Sequence, residues 1–142
     1  MIRDAETTKG ILLHRSPRLC YAGDVIRVTG GIIVLTLLLV VHLVEEVRGD
    51  FRRRLPLGEM PLVLFVVINV LVYAFCAVMI WLALHENPAA IPMAWAFAIA
   101  MLVNGTGHLA IMVVRRAYFP GGITAPGILA VSVYVIAQLL SQ

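Results

Sequence analysis

The sequence has few charged residues and few cysteines, and it lacks any nucleotide-binding motif. Only 13% of the 142 residues are charged, whereas soluble domains carry about 25%. The two cysteines, Cys20 and Cys76, lie far apart with no CxxC pair, so we interpret Cys76 as a packed thiol. No GxGxxG or P-loop pattern is present, and a NAD, flavin or ATP cofactor is therefore not indicated.

The sequence also lacks the features of a cleavable signal peptide. A tail of mixed polar residues precedes the first apolar block, and no small-residue cleavage site follows that block. We therefore expect residues 1–24 to form a polar or interfacial tail and residues 25–142 to form a transmembrane domain.

Apolar residues are in excess, at 61% of the chain against about 45–50% in soluble domains. They fall in four long blocks, and a helix needs about 20 residues to cross a bilayer core of about 30 Å. Short turns separate the later blocks, which makes sequential helices antiparallel neighbours. The expected fold is all-α, an up-down bundle of four transmembrane helices. The spans are expected at about 28–47, 61–84, 89–114 and 123–140.

The first span contains three ionisable residues near its end. The unbroken apolar run Gly30–Val41 has 12 residues, about 18 Å, which is too short to cross the bilayer. Extending it to the flanking arginines, Arg27 and Arg48, gives 20 residues between them and about 30 Å. The span is complete only with the three ionisable residues inside it. They are His42, Glu45 and Glu46.

The third span has polar residues at a matching depth. His108 lies about 10 Å from the arginine that ends its span, and His42 lies about 9 Å from the arginine that ends the first span. Odd-numbered helices of an up-down bundle are parallel, so both histidines are expected beneath the same surface. Asn104 is one turn deeper, and Asn69 of the second span lies at about the same depth.

These side chains can form a reaction centre. Glu45 and Glu46 follow His42 at i+3 and i+4, which places them on one helix face. Asn104 and His108 share a face of the third span in the same way. Ionisable residues within membrane spans are costly and usually have a function. Carboxylates and imidazoles can ligate zinc or iron, or act without metal as general acid and base.

A structural interpretation of the same residues is also open. Glu45 and Glu46 could pair with arginines at the membrane surface, and His42 could hydrogen-bond a neighbouring helix. Asn69 is a further candidate substrate contact, although an asparagine within a span more often joins two helices than takes part in catalysis. Two histidines at one depth on separate spans favour a site over this interpretation.

Three short motifs resemble those of a known family. His42, Glu45 and Glu46 match an HxxEE motif, Asn104 and His108 an NxxxH motif, and residues 118–121 a YxPG motif. In this order, over about residues 30–140, they resemble the HXXEE-domain family of small integral membrane proteins. The resemblance implies a polytopic topology and a shared cluster of these residue types, but no particular reaction. It also places a loop above the cluster as a lid or a plain turn, with Tyr118, Pro120 and Gly121 as candidate substrate contacts.

The resulting hypothesis is a membrane-embedded enzyme that acts on an apolar or lipid-like substrate. A divalent metal held by His42, Glu45, Glu46 and His108 would support hydrolysis or redox chemistry. Without metal, acid and base chemistry by the same residues would support isomerisation or cyclisation. In both versions Asn104 orients the substrate or a ligand. The alternatives are a proton-coupled transporter, which would need to form homo-oligomers, and a structural or accessory subunit.

The arginines determine the expected partners and orientation. They lie in clusters beside the apolar blocks, which indicates lipid headgroups rather than nucleic acid as partners. The expected location is the cell membrane. The loops at the histidine end carry six arginines, which favours a cytoplasmic site, although the tail at the opposite end is also basic.

Overall fold

The computed structural model describes residues 17–56 and 58–141, with side chains from residue 28 onward in those ranges. Every regular element in that part of the chain is an α-helix, which confirms the expected fold class. The helices are α1 (Pro17–Arg48), α2 (Phe51–Arg54), α3 (Leu62–Leu84), α4 (Ala90–Arg115) and α5 (Ala125–Leu140).

Three helices are long and apolar enough to cross a membrane, namely α3, α4 and the 21 residues of α1 from Val28 to Arg48. Helix α5 is apolar but has only 16 residues, about 24 Å, which is shorter than a full crossing. It begins at Ala125, two residues later than expected, because the residues before it form a loop that folds into the bundle. The chain is an all-helical membrane bundle with three spanning-length helices and a shorter fourth.

The long helices alternate in direction, so the end of α1, the start of α3, the end of α4 and the start of α5 lie at one end of the bundle. Helix α5 packs most extensively against α4 and then α1, while α3 packs less extensively against α1 and α4. Small residues allow this close packing. A Cβ added at Gly105 of α4 would lie 3.2 Å from the backbone oxygen of Ala125 in α5. The core lies between the four helices and includes Ile32, Leu35, Met79, Phe97, Ile128 and Val135.

The outer surface of the bundle is strongly apolar. Helix α3 exposes large apolar side chains along most of its length, among them Val63, Val70 and Leu71. Such a surface is unfavourable in water, whereas lipid chains solvate it and backbone groups within the helix remain hydrogen-bonded. The pattern agrees with the membrane location expected from composition.

Two features at the helix ends differ from the expected boundaries. Helix α1 begins at Pro17, so residues 17–24 of the expected tail continue the first helix, and residues 1–16 lie outside the described residues. Proline is favourable in the first turn of a helix, and nothing between it and Val28 interrupts the helix. The short helix α2 lies in the arginine-rich loop. It was not predicted, because this segment has no apolar periodicity.

Candidate metal centre at one end of the bundle

His42 of α1 and His108 of α4 meet inside the bundle, beneath its arginine-rich end. Both residues are buried, and their ring centroids lie 4.6 Å apart in an edge-to-face arrangement. The contact follows from topology, because α1 and α4 run in the same direction and each histidine precedes the end of its helix by a similar distance. The juxtaposition expected from the depth of the two residues is present.

Glu46 joins the two imidazoles. Its Oε1 atom lies 3.4 Å from Nε2 of His42, one turn earlier on α1, and 3.3 Å from Nε2 of His108. All three residues are buried, and their three ligand atoms lie within 4.8 Å of one another. This group could hold a metal ion.

The orientation of His108 is fixed by a backbone carbonyl. Its Nδ1 lies 2.7 Å from the carbonyl oxygen of Pro120, and a carbonyl can only accept, so Nδ1 carries the proton. In the neutral imidazole, Nε2 then presents a lone pair toward Glu46. This is the arrangement in which histidine ligates metals, with its other nitrogen bonded to a second group.

The orientation of His42 is fixed by a hydroxyl and a carboxylate in series. Its Nδ1 lies 2.6 Å from Oγ1 of Thr124, and that hydroxyl donates to Oε2 of Glu45 at 2.7 Å. Since the single hydroxyl proton is directed to the carboxylate, Oγ1 accepts the Nδ1 proton of His42. The Nε2 lone pair of His42 therefore also faces Glu46, and both imidazoles have the tautomer that suits a ligand.

Glu45 faces away from the imidazoles, toward the loop before α5. Its Oε1 accepts from the Tyr118 hydroxyl at 2.9 Å and from the backbone N–H of Ile123 at 3.0 Å. Its Oε2 accepts from the backbone N–H of Thr124 at 3.0 Å in addition to the threonine hydroxyl. Both glutamates were expected beside the histidines, but only Glu46 faces them. The next side chain along the helix points about 100° away, and the loop supplies four donors to Glu45.

The loop between α4 and α5 forms the roof of the cluster. Residues 119–122 are buried, and non-helical backbone at such a depth requires internal hydrogen bonds. His108 donates to the carbonyl of Pro120, and Glu45 accepts from the backbone N–H groups of the next two residues, Ile123 and Thr124. Gly121 has φ 89°, and a Cβ there would lie 2.5 Å from the His108 ring and 2.6 Å from the His42 ring. The glycine thus lets the loop close directly on both imidazoles.

Tyr118 lies at the outer edge of this loop. Its side chain is exposed, and its hydroxyl reaches Glu45. Partial burial, the hydrogen bond to the Glu45 carboxylate and the charge of that carboxylate raise the pKa of Tyr118, so the phenol keeps the proton it donates at neutral pH. Tyr118, expected as a substrate contact, is engaged with Glu45, while Pro120 contacts His108 through its carbonyl.

The two asparagines differ in their surroundings. The Asn104 amide nitrogen lies 3.3 Å from Nε2 of His42, at the edge of the cluster, and one of its two N–H groups donates to that nitrogen. The Asn69 amide instead donates to the carbonyl oxygen of Phe65, four residues earlier on its own helix, at 2.8 Å. The structure brings Asn104 to the histidines and leaves Asn69 bonded within α3.

Two residues of the centre were not anticipated from the sequence. Thr124 precedes Ala-Pro at the start of α5, which is a helix-capping pattern, but its side chain bonds Glu45 and His42 instead of its own helix. Phe51 of α2 packs against His108, with ring centroids 5.3 Å apart. Its position in an arginine-rich loop gave no indication of this contact.

A small cavity of about 80 Å³ adjoins Glu46, with room for about two or three water molecules. It lies where α1, α2 and α3 meet, and Phe51, Leu62 and Phe65 line it beside the glutamate. The loop therefore covers the cluster, and the cavity adjoins it from the side, between mainly apolar and aromatic groups and the charged Asp50 and Arg52.

The comparisons with known proteins identify the family. A family model described as "Protein of unknown function with HXXEE motif" matches residues 33–135, which is more than two thirds of the chain. The chain therefore belongs to the HXXEE family, as its three motifs predict. No curated protein and no solved structure matches it.

Proposed function

We propose that this member of the HXXEE family is a metal-dependent membrane enzyme that acts on an apolar or lipid-like substrate. His42, Glu46 and His108 would be the protein ligands of one divalent ion. The sequence predicts Glu45 among the ligands. In the structure it would instead orient His42 indirectly, through the hydroxyl of Thr124. The family itself has no established function, so the proposal depends on the site.

One observation carries the proposal, namely the distances from the Glu46 carboxylate to the two imidazoles. A proton shared between imidazolium and carboxylate gives N···O distances of about 2.7–2.9 Å. The distances to Glu46 are longer, at 3.4 and 3.3 Å. Ligands about 2.0–2.1 Å from a tetrahedral zinc ion lie about 3.3 Å from each other. The two separations from Glu46 therefore fit ligands around a metal better than direct hydrogen bonds, and all three ligand atoms lie within 4.8 Å of one another.

The ligand types narrow the choice of metal. Two imidazoles and one carboxylate suit zinc or ferrous iron, and both metals occur in catalytic sites with this set. Three protein ligands leave a coordination position for water or substrate, whereas structural zinc sites are closed by four. The donor set thus supports a catalytic rather than a structural ion.

The surrounding residues support chemistry on a bound substrate. A divalent ion at this position supplies Lewis acidity toward a substrate oxygen or toward water. The second N–H group of the Asn104 amide, whose nitrogen lies 3.3 Å from His42 Nε2, can donate to a substrate oxygen beside the cluster. The loop roof excludes water from above, which strengthens electrostatic interactions inside the site.

The approach to the cluster supports an apolar substrate. Most of the cavity wall beside Glu46 is apolar, with Val47, Phe51, Leu62 and Phe65, and the charged Asp50 and Arg52 complete it. Leu62 and Phe65 belong to α3, which has the smallest buried share of the three spanning segments. Polar groups of the cluster lie at one end of the bundle, and the far halves of the three spanning segments, which begin at Val28, Leu62 and Ala90 in turn, contain no charged residue. A relay across the membrane would need polar groups throughout, so this distribution favours an enzyme over a transporter.

Metabolite comparison tests this function. Membranes that contain the wild-type protein or Glu46→Gln are incubated with a lipid extract, and the products are compared by mass spectrometry. Loss of a ligand removes the proposed metal, so we expect at least one extract component to be converted by wild type and a loss of about 100-fold or more in the variant.

His85→Ala is the matched control for this experiment, because His85 is exposed at the opposite end of the bundle. We expect it to retain wild-type turnover, and a chelator should abolish turnover in both proteins. Identical extracts with wild type and Glu46→Gln would contradict the enzyme proposal.

A further inference from the structure

A second concave site lies on the outer side of Glu45, away from the two histidines. It is an open groove of about 570 Å³ between the end of α1 and the start of α5, within the range of about 300–1,000 Å³ typical of ligand sites. We name it the Arg48 groove. Its walls include Val41, Val44, Ile123, Arg48, Arg54 and Tyr118.

One half of the Arg48 groove is apolar and the other half is cationic. Val41, Val44 and Ile123 expose 55, 45 and 73% of their surface, respectively, on the membrane side. Val41 lies seven residues before Arg48, so the apolar half extends about 10 Å below the arginine. The groove therefore changes from apolar to charged along the membrane normal, as a lipid molecule does.

The two arginines of the groove are available to an anion. Arg48 and Arg54 are exposed, and within residues 28–56 and 58–141 neither forms an ion pair with a carboxylate. The neighbouring Arg52, in contrast, pairs with Glu59 at 2.7 Å. Guanidinium groups bind phosphate oxygens through paired hydrogen bonds, which makes two unpaired arginines a suitable phosphate site.

The acidic residue of the groove does not cancel this charge. Glu45 also lines the groove, but its oxygens accept four hydrogen bonds from the loop before α5. Two arginines and one carboxylate leave a net positive charge, and the carboxylate is already satisfied by its donors.

We propose that the Arg48 groove binds one anionic membrane phospholipid. The phosphate contacts Arg48 and Arg54, and one acyl chain lies along Val41, Val44 and Ile123. The charge and the apolar surface match the two parts of such a lipid at the depths where a bilayer presents them. This site is separate from the metal ligands and does not depend on the proposed enzyme function.

Native mass spectrometry of the protein in neutral detergent tests the proposal. The probes are dioctanoyl phosphatidylglycerol, dioctanoyl phosphatidylcholine and free glycerol phosphate. We expect one phosphatidylglycerol per chain to bind more tightly than phosphatidylcholine, and glycerol phosphate to bind weakly because it lacks the chains. Arg48→Gln and Arg54→Gln should each weaken phosphatidylglycerol binding about fivefold, the effect of one basic residue near an anionic lipid.

Arg116→Gln is the matched control, because it removes one exposed positive charge from the same end of the bundle but outside the groove. We expect it to change binding less than about twofold. An equal loss in Arg116→Gln and Arg48→Gln would show diffuse surface attraction, and equal binding of both lipids would show no headgroup recognition. Either result overturns the proposal, as does binding of glycerol phosphate as tight as that of the lipid.

The metal content of Arg48→Gln distinguishes this site from the metal centre. We expect it to equal that of wild type, because Arg48 does not contact the ligand cluster. If the protein binds phosphatidylglycerol selectively but contains no metal, the lipid-binding proposal stands and only the enzyme proposal is contradicted.

Discussion

At the residue scale, the orientation of each histidine depends on the atom that hydrogen-bonds its Nδ1, on the side of the ring away from Glu46. His108 is oriented by the Pro120 carbonyl, whereas His42 is oriented by Thr124, which in turn bonds Glu45. The second arrangement links a carboxylate to a ligand through one hydroxyl. It gives adjacent glutamates different roles, with Glu46 beside the imidazoles and Glu45 behind one of them.

Replacement of Thr124 tests this linkage. Thr124→Val keeps the shape but leaves Nδ1 of His42 without its acceptor, so we expect zinc affinity to fall about 10- to 100-fold. Thr124→Ser keeps the hydroxyl and should stay within about threefold of wild type. Competition titration with a zinc-binding dye gives both affinities. Equal affinities for the two variants would show that the hydroxyl does not position the ligand.

The residue scale is also where prediction from sequence reached its limit. Helical spacing places both glutamates near His42, at i+3 and i+4, and cannot decide which of them faces inward. The loop before α5 determines which glutamate faces inward, because its hydrogen-bond donors hold Glu45 away from the histidines. These donors lie between 73 and 79 positions after Glu45 in the sequence. Such long-range hydrogen bonds leave no local signal in the chain.

At the scale of elements, α3 and α4 were predicted to within one or two residues, because long apolar runs bounded by polar turns define membrane helices. The depth of the loop between α4 and α5 was not predicted in the same way. Its residues were expected above the cluster, but four of them are buried beside the imidazoles and shorten α5. The stabilising contacts come from side chains of α1 and α4, which sequence-local patterns do not encode.

Gly121→Ala tests whether this loop must close on the imidazoles. The added Cβ meets both rings and the positive φ disfavours alanine, so we expect a destabilisation of about 1–3 kcal/mol. Gly107→Ala is the control, because Gly107 lies within α4 with open space around its Cα. It should leave stability equal or slightly higher. Thermal unfolding followed by circular dichroism measures both, and equal midpoints would contradict the described closure.

At the scale of the whole molecule, the polar groups are concentrated at one end of an otherwise apolar bundle. The parallel direction of α1 and α4 brings the histidines together, and the loop between α4 and α5 covers them. The topology was predictable from span count and turn length, and the meeting of the histidines followed from it. The resulting molecule has a buried polar centre near one end and a strongly apolar exterior.

The central claim is that His42, Glu46 and His108 bind one divalent metal ion, and metal analysis of the purified protein tests it most directly. We expect about one zinc or iron ion per chain in wild type and in His85→Ala. His42→Ala, His108→Ala and Glu46→Gln should each lose most of it, because each removes one of three ligands. Near-zero metal in every protein, including wild type after incubation with zinc or ferrous iron, would contradict the claim.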